Sequence, residues 1–89
     1  MVKGETKTGF AFEVDENAIN DMEIIDAFVT IQDGDPMPYT IIVRKLFGAE
    51  ERKALYDHVR DEKGRVPIEK VALEINDIFE QIGESAKKS

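Results

Sequence analysis

The feature that most constrains the fold is an apolar pattern near the C-terminus of the chain. In the stretch VPIEKVALEINDIFEQIG, isoleucine recurs at every seventh residue, at Ile68, Ile75 and Ile82. This spacing predicts an amphipathic helix that begins near Pro67. Its apolar face consists of Ile68, Val71, Ala72, Ile75, Ile78, Phe79 and Ile82. Such a face is buried either in a core private to one chain or in an interface with another chain, and the pattern leaves both options open.

A second broad apolar pattern lies in residues 15–32, DENAINDMEIIDAFVTIQ. We predict a single helix over this stretch, with Asp15 or Asn17 as its N-cap. Its apolar stripe consists of Ala18, Met22, Ile25 and Val29, and is widened by Ile24, Phe28 and Ile31. A stripe this wide predicts that most of it is buried, in the same subunit or against another.

Two shorter helices are predicted between these two patterns. The first is YTIIVRKLF, which follows Asp35 and Pro36, residues typical of a helix N-cap and first position. The next is AEERKALYDHVRDEK, which we expect to pack through Leu55, Tyr56 and Val59. Gly48 and Gly64 directly follow the two helical patterns, so both are predicted to end helices in left-handed backbone conformations.

The segment GFAFEV near the N-terminus has the period-two pattern of a short strand. Phe10, Phe12 and Val14 share one face, and Ala11 and Glu13 share the other. A strand needs a hydrogen-bonded neighbour, which is either residues 2–7 folded back as a hairpin or the same strand of a second chain. The predicted fold class is therefore mainly α: a small bundle of about four helices with a short N-terminal β-strand or hairpin.

The length of 89 residues predicts one domain. We expect residues 1–8 to be flexible or part of a hairpin, residues 9–83 to form a single helical domain, and residues 84–89 to be a disordered tail.

The absence of cysteine excludes disulfides and Cys-bound zinc. The apolar runs are too short to span a bilayer and no signal-peptide region is evident, so we expect a soluble cytoplasmic protein without membrane association.

The net charge of −7 is unevenly distributed along the chain. Residues 1–38 contain nine acidic and two basic side chains, whereas residues 39–89 contain ten of each. An acidic surface disfavours binding to nucleic-acid backbones. Such a surface is typical either of a face that is simply in contact with solvent or of one that binds a basic segment of a partner.

The sequence predicts neither an enzyme nor a cofactor or metal site. His58 is the only histidine, and no cysteine accompanies it as a second metal ligand. Asp33 and Asp35 flank Gly34, but a proline and a methionine follow where a calcium loop needs further ligands. The stretch RVPIEKVALEI superficially resembles the first helix of a helix-turn-helix, yet too few residues follow it for a recognition helix. We therefore expect no binding to DNA.

What remains is an interaction module, and two surfaces are candidates for its protein interface. Ile82 lies in the final turn of the isoleucine-rich helix, beside the predicted tail, where a single domain has little to cover it. We therefore hypothesise that Phe79 and Ile82 contact another chain, either a second copy or a different protein. Phe10 and Phe12 of the strand are the second candidate, through pairing of strand edges.

The order of the predicted elements resembles that of the small tail assembly chaperones of long-tailed phages and prophages. The resemblance extends from about Phe10 to Gly83. It rests on an apolar strand, on DMEIIDAF, on a loop rich in Pro and Asp, and on VRKLFGAEERKALYDHVR and GRVPIEKVALEINDIF. Its most specific motifs are the Leu-Phe-Gly that follows a helix and the Gly-Arg-Val-Pro that enters the last one.

This resemblance implies a mainly helical, non-catalytic protein that tends to form homo-oligomers. It would bind the tape measure protein in the cytoplasm of the bacterial host, keep it soluble until the tail tube forms, and be absent from the mature virion. Two other classes of function stay open. One is a small acidic regulatory or antitoxin-like protein that neutralises a basic partner, and the other, which the charge disfavours, is a nucleic-acid-binding regulator.

Overall fold

A computed structural model describes the backbone of residues 1–88 and the side chains of residues 1–85. The elements are β1 (Val2–Glu5), β2 (Ala11–Val14), a 3-10 helix (Glu16–Asn20), α1 (Met22–Gln32), α2 (Tyr39–Leu46), α3 (Ala49–Val59) and α4 (Ile68–Lys88). The predicted fold class, a small helical bundle with a short N-terminal hairpin, is confirmed.

The predicted strand pairs within its own chain. β1 and β2 form an antiparallel hairpin in which Val2 pairs with Val14 and Gly4 with Phe12. The turn is closed by a hydrogen bond from the backbone N–H of Thr6 to the carbonyl oxygen of Phe10, 2.9 Å long. Gly9 has a φ of 93° in this turn, a conformation that other residues rarely adopt. The N-terminal residues therefore supply the strand's neighbour, and no second chain is needed.

The single helix predicted over residues 15–32 is wrong, because the chain forms two helices there. Asp15 caps the 3-10 helix by accepting a hydrogen bond from the N–H of Asn17. Asp21 then takes an extended conformation and caps α1 by accepting from the N–H groups of Glu23 and Ile24. A short acidic side chain that bonds to the following backbone favours a cap over a helix interior, and this second cap separates the two helices.

The helix boundaries around α2 and α3 also differ from the prediction. α2 begins after Pro38, and Asp35 bonds instead to the N–H of Met37 in the preceding turn. Gly48 is extended and precedes α3 as its N-cap, so its predicted left-handed conformation is wrong. Gly64 is left-handed, with a φ of 82°, but it lies in a turn beyond the end of α3 at Val59. Asp61 orders that turn by accepting hydrogen bonds from two backbone N–H groups.

α4 is the longest element and provides much of the core. It continues through Gly83 to Lys88, so the predicted helix end at Gly83 is wrong, and residues 84–88 of the predicted tail are helical. A glycine inside a helix costs only about 1 kcal/mol, which does not end a helix whose next residues tolerate helical geometry. Ser89 lies outside the described residues. The buried apolar residues of α4 are Val71, Ile75, Ile78 and Ile82.

Candidate protein-binding surface

Three of the four residues predicted to form a protein interface lie in the core instead. Phe10 and Phe12 are buried, and Ile82 is completely inaccessible to water. Phe79 is half-buried, and its ring packs edge-on against that of Phe28 with 5.1 Å between the centroids. A side chain enclosed within one chain is not available to a partner, so we assign Phe10, Phe12 and Ile82 to a private core. Phe79 packs against that core but is only partly buried, and its contact with a partner stays a prediction.

The hairpin explains why the end of α4 is covered. The side-chain amide of Gln81 donates a 3.0 Å hydrogen bond to the carbonyl oxygen of Glu5 in β1. Gly4 allows the close approach of these elements, because an added β-carbon there would lie 2.6 Å from Oε1 of Gln81 and 2.8 Å from Cζ of Phe12. The apolar pattern alone does not show that the hairpin lies against α4, so Ile82 is covered where the pattern predicts an uncovered helix end.

Carboxylates of α4 hold the turn of the hairpin. Glu74 is buried, and it accepts 2.9 Å hydrogen bonds from the hydroxyl groups of Thr6 and Thr8. Asp77 accepts a 2.7 Å hydrogen bond from the backbone N–H of Lys7. This bond, followed by one from Gln81, holds the pKa of the Asp77 carboxyl below its usual value. The network fixes the hairpin to the bundle.

His58 belongs to the same network, and its geometry differs from that of a catalytic relay. Its Nε2 lies 2.9 Å from Oγ1 of Thr8 and 3.8 Å from Oε1 of Glu74. A Ser- or Thr-His-acid relay needs the hydroxyl and the carboxylate at opposite ring nitrogens, whereas here both lie at Nε2. The Thr8 hydroxyl also lies 2.9 Å from each carboxylate oxygen of Glu74. The imidazole therefore connects α3 to the hairpin turn.

The outer face of α1 exposes apolar side chains. Met22, Ile25 and Val29 are 66%, 45% and 52% exposed, and we call these three residues the outer α1 stripe. Burial of these residues within the same subunit, one of the two predicted options, is wrong. Their burial against another chain stays a prediction. α1 instead contacts the core through Ile24 and Ala27, which are buried, and through Phe28 and Ile31, which are partly buried.

A second apolar surface is concave. A groove of about 310 Å³ lies between the loop before α2 and the start of α4, and we call it the α2–α4 groove. Its lining consists of Pro36, Met37, Tyr39, Thr40, Val43, Tyr56, Val66, Ile68 and Val71. Met37 is 73% exposed and Ile68 is 55% exposed. Ile68, the first of the regularly spaced isoleucines, therefore contributes to a surface rather than to the core.

Acidic residues surround α1. Between Lys7 and Arg44 the chain contains eight acidic residues and no lysine or arginine. Lys45 of α2 lies beside the N-terminal end of α1, with its Nζ 2.9 Å from Oδ2 of Asp21 and 3.2 Å from Oε1 of Glu23. Its hydrogen bond to Asp21 raises the pKa of Lys45 and lowers that of Asp21. The last turn of α1 has no basic residue.

Comparisons with protein-family models, with curated proteins and with solved structures found no match to this chain. Among the described residues, no cluster of three or more His, Cys, Asp or Glu side chains is arranged to hold a metal ion. In the same part of the chain, no helix is both long and apolar enough to cross a membrane.

Proposed function

We propose that the protein is a non-catalytic tail assembly chaperone, which binds the tape measure protein and keeps it soluble during tail assembly. The observation that carries this proposal is the α2–α4 groove, an open recess whose lining is almost entirely apolar. The order of the elements, which resembles that of the small tail assembly chaperones, supports the same proposal. The chaperone acts in the host cytoplasm and leaves before the virion is complete.

The lining of the groove suits apolar side chains of an extended or helical client. Tyr39 and Tyr56 provide aromatic surface together with hydroxyl groups that bond to water or to a client backbone. Met37, at the mouth of the groove, has an unbranched and adaptable side chain, which helps one surface accept different apolar residues. A chaperone that must hold several segments of a long client requires such tolerance.

A tape measure gene beside the gene for this chain would support the proposal, and co-expression of the two proteins tests it. We expect the chain to move the tape measure protein from the insoluble to the soluble fraction. Met37→Gln combined with Ile68→Gln should remove most of this effect, because it makes the mouth of the groove polar. Leu73→Gln is the matched control, since Leu73 is 67% exposed on α4 and does not line the groove.

Two results would count against the proposal. If the tape measure protein stays insoluble with the wild-type chain, the chaperone function is wrong. If the groove variant solubilises it as well as the wild type does, the groove is not the binding surface. A toxin gene in place of the tape measure gene would favour the antitoxin-like alternative.

A further inference from the structure

α1 is apolar on two sides, and only one of them faces the core. Ile24 and Ala27 are buried, while the outer α1 stripe points away from them. The stripe residues are three and then four positions apart, which is the spacing of successive core positions in a coiled coil. A helix that is apolar on opposite sides is normally covered on both. The outer stripe therefore has the form of a seam for one more helix.

The charged residues described beside this seam are all negative. Asp26 lies on the exposed surface of α1, between the apolar positions Met22 and Val29. Asp33 follows as the C-cap, and Asp35 comes two residues later. The C-terminal end of a helix carries the negative pole of its dipole, where a cation is favourable and a carboxylate is not. Asp33 and the absence of a basic residue in the last turn both depart from that rule, so the negative charge at this end of α1 is complementary to a cationic side chain from outside the chain.

We infer that the outer α1 stripe is the docking face for a basic amphipathic helix of a partner protein. Apolar residues of that helix pack on Met22, Ile25 and Val29, and its flanking Lys and Arg side chains lie beside Asp26 and Asp33. This surface shares no residue with the α2–α4 groove. An experiment that contradicts the chaperone proposal therefore does not contradict this inference, and the reverse also holds.

A second copy of this chain is a poor occupant for the same face. The chain has a net charge of −7, and its acidic residues are concentrated in the part that contains α1. Packing α1 against α1 about the centre of the stripe would bring Asp26 close to Asp26 of the second copy in either direction, and parallel packing would also bring the two Asp33 residues together. Like charges placed opposite each other oppose association, so the complementary partner is basic.

A synthetic peptide tests the inference directly. The probe is a fluorescent helix of about three heptads with Leu at the seam positions and Lys at the others, titrated with the full chain and followed by anisotropy. Ile25→Gln combined with Val29→Gln should weaken its binding at least about tenfold. Leu73→Gln, which changes an equally exposed residue outside the seam, should leave the dissociation constant within about twofold.

Two control peptides separate the seam from general charge attraction. Replacing every Lys by Glu should abolish binding to the wild type. Shuffling the Leu and Lys positions, which keeps the charge but removes the seam, should weaken binding as much as the double variant does. Equal binding of the shuffled peptide, or an unaffected double variant, would overturn the inference.

If the variant with Ile25→Gln and Val29→Gln unfolds, a variant that changes only a charge tests the inference instead. Asp26→Lys removes one carboxylate beside the seam without changing an apolar contact. It should weaken binding of the Lys peptide and strengthen binding of the Glu peptide. Sedimentation that shows a wild-type dimer separated by Ile25→Gln would assign the face to a second copy instead and contradict the inference.

Discussion

α4 and α1 are both strongly apolar helices, yet they use their apolar residues in opposite ways. On α4, Ile75, Ile78 and Ile82 are completely buried, and the 3-10 helix, β1 and α3 all pack against this helix. On α1, Met22, Ile25 and Val29 stay in contact with water, and a different set of residues contacts the core. Apolar periodicity thus shows that a helix has a face to cover, but not which chain covers it.

The largest effect is expected from truncation inside α4. Ile82→Ala should destabilise the fold by about 3 kcal/mol, because a buried isoleucine loses its contacts and leaves a cavity. Ile25→Ala, the matched truncation on the outer face of α1, should change the free energy of unfolding by less than about 0.5 kcal/mol. Urea denaturation of both variants measures the difference. If the two variants lose similar amounts of unfolding free energy, the distinction between a covered face on α4 and an uncovered face on α1 is wrong.

A slightly smaller loss of stability is expected from removing Glu74, the buried carboxylate of α4. Glu74→Ala leaves the hydroxyl groups of Thr6 and Thr8 without their acceptor, which should cost about 2 kcal/mol. Glu80→Ala removes an exposed carboxylate from the same helix and should cost much less. Thermal melting followed by circular dichroism compares them. A stable Glu74→Ala variant would show that the hairpin does not depend on this carboxylate.

Asp77 should make the attachment of the hairpin sensitive to acid. Its pKa is lowered in the folded chain by the hydrogen bond from the Lys7 N–H, so the carboxylate stabilises the fold above its unfolded pKa of about 4. This contribution is lost as the pH falls through the folded pKa. Asp77→Asn should therefore show a weaker loss of stability in acid than the wild type. Glu80→Gln controls for the change in net charge, and an unchanged acid profile in Asp77→Asn would contradict the assignment.

The smallest effect is expected at the ion pairs that join α1 to α2. Lys45→Met should lower the melting temperature slightly, and high salt should remove the difference, because the pairs are exposed to solvent. Hydrogen bonding to Asp21 raises the pKa of Lys45. Its contribution is thus present below the unfolded pKa of about 10.4 and lost as the pH rises through the folded value. A large loss that salt does not change would indicate that Lys45 has a packing role.

The inner face of α4 could be predicted from the sequence because a single arc of that helix is apolar. Val71, Ile75 and Ile78 leave one consistent orientation. Glu74 could have been recognised too, since it stands three residues after Val71 and four before Ile78, on the same face. A carboxylate at such a position predicts a buried hydrogen-bonding partner.

The orientation of α1 could not be predicted in the same way. The set of Met22, Ile25 and Val29 fits a helical period, and so does the set of Ile24, Phe28 and Ile31. Which set faces inward depends on where the rest of the bundle lies, and that is not a local property of the sequence. The outer α1 stripe could not be singled out as a surface for the same reason, since the pattern assigns both sets to one wide apolar face.

The contacts between the hairpin and α4 join the two ends of the sequence, and this determines when folding can finish. The hydrogen bond between Lys7 and Asp77 spans 70 residues, and the one between Gln81 and Glu5 spans 76. A ribosome makes the hairpin residues early and the residues that cover them late. Phe10 packs on Phe47 and His58, which are made before α4, but the hairpin lacks its hydrogen-bond partners Asp77 and Gln81 until α4 has been made. Completion of α4 is therefore the event that closes the fold.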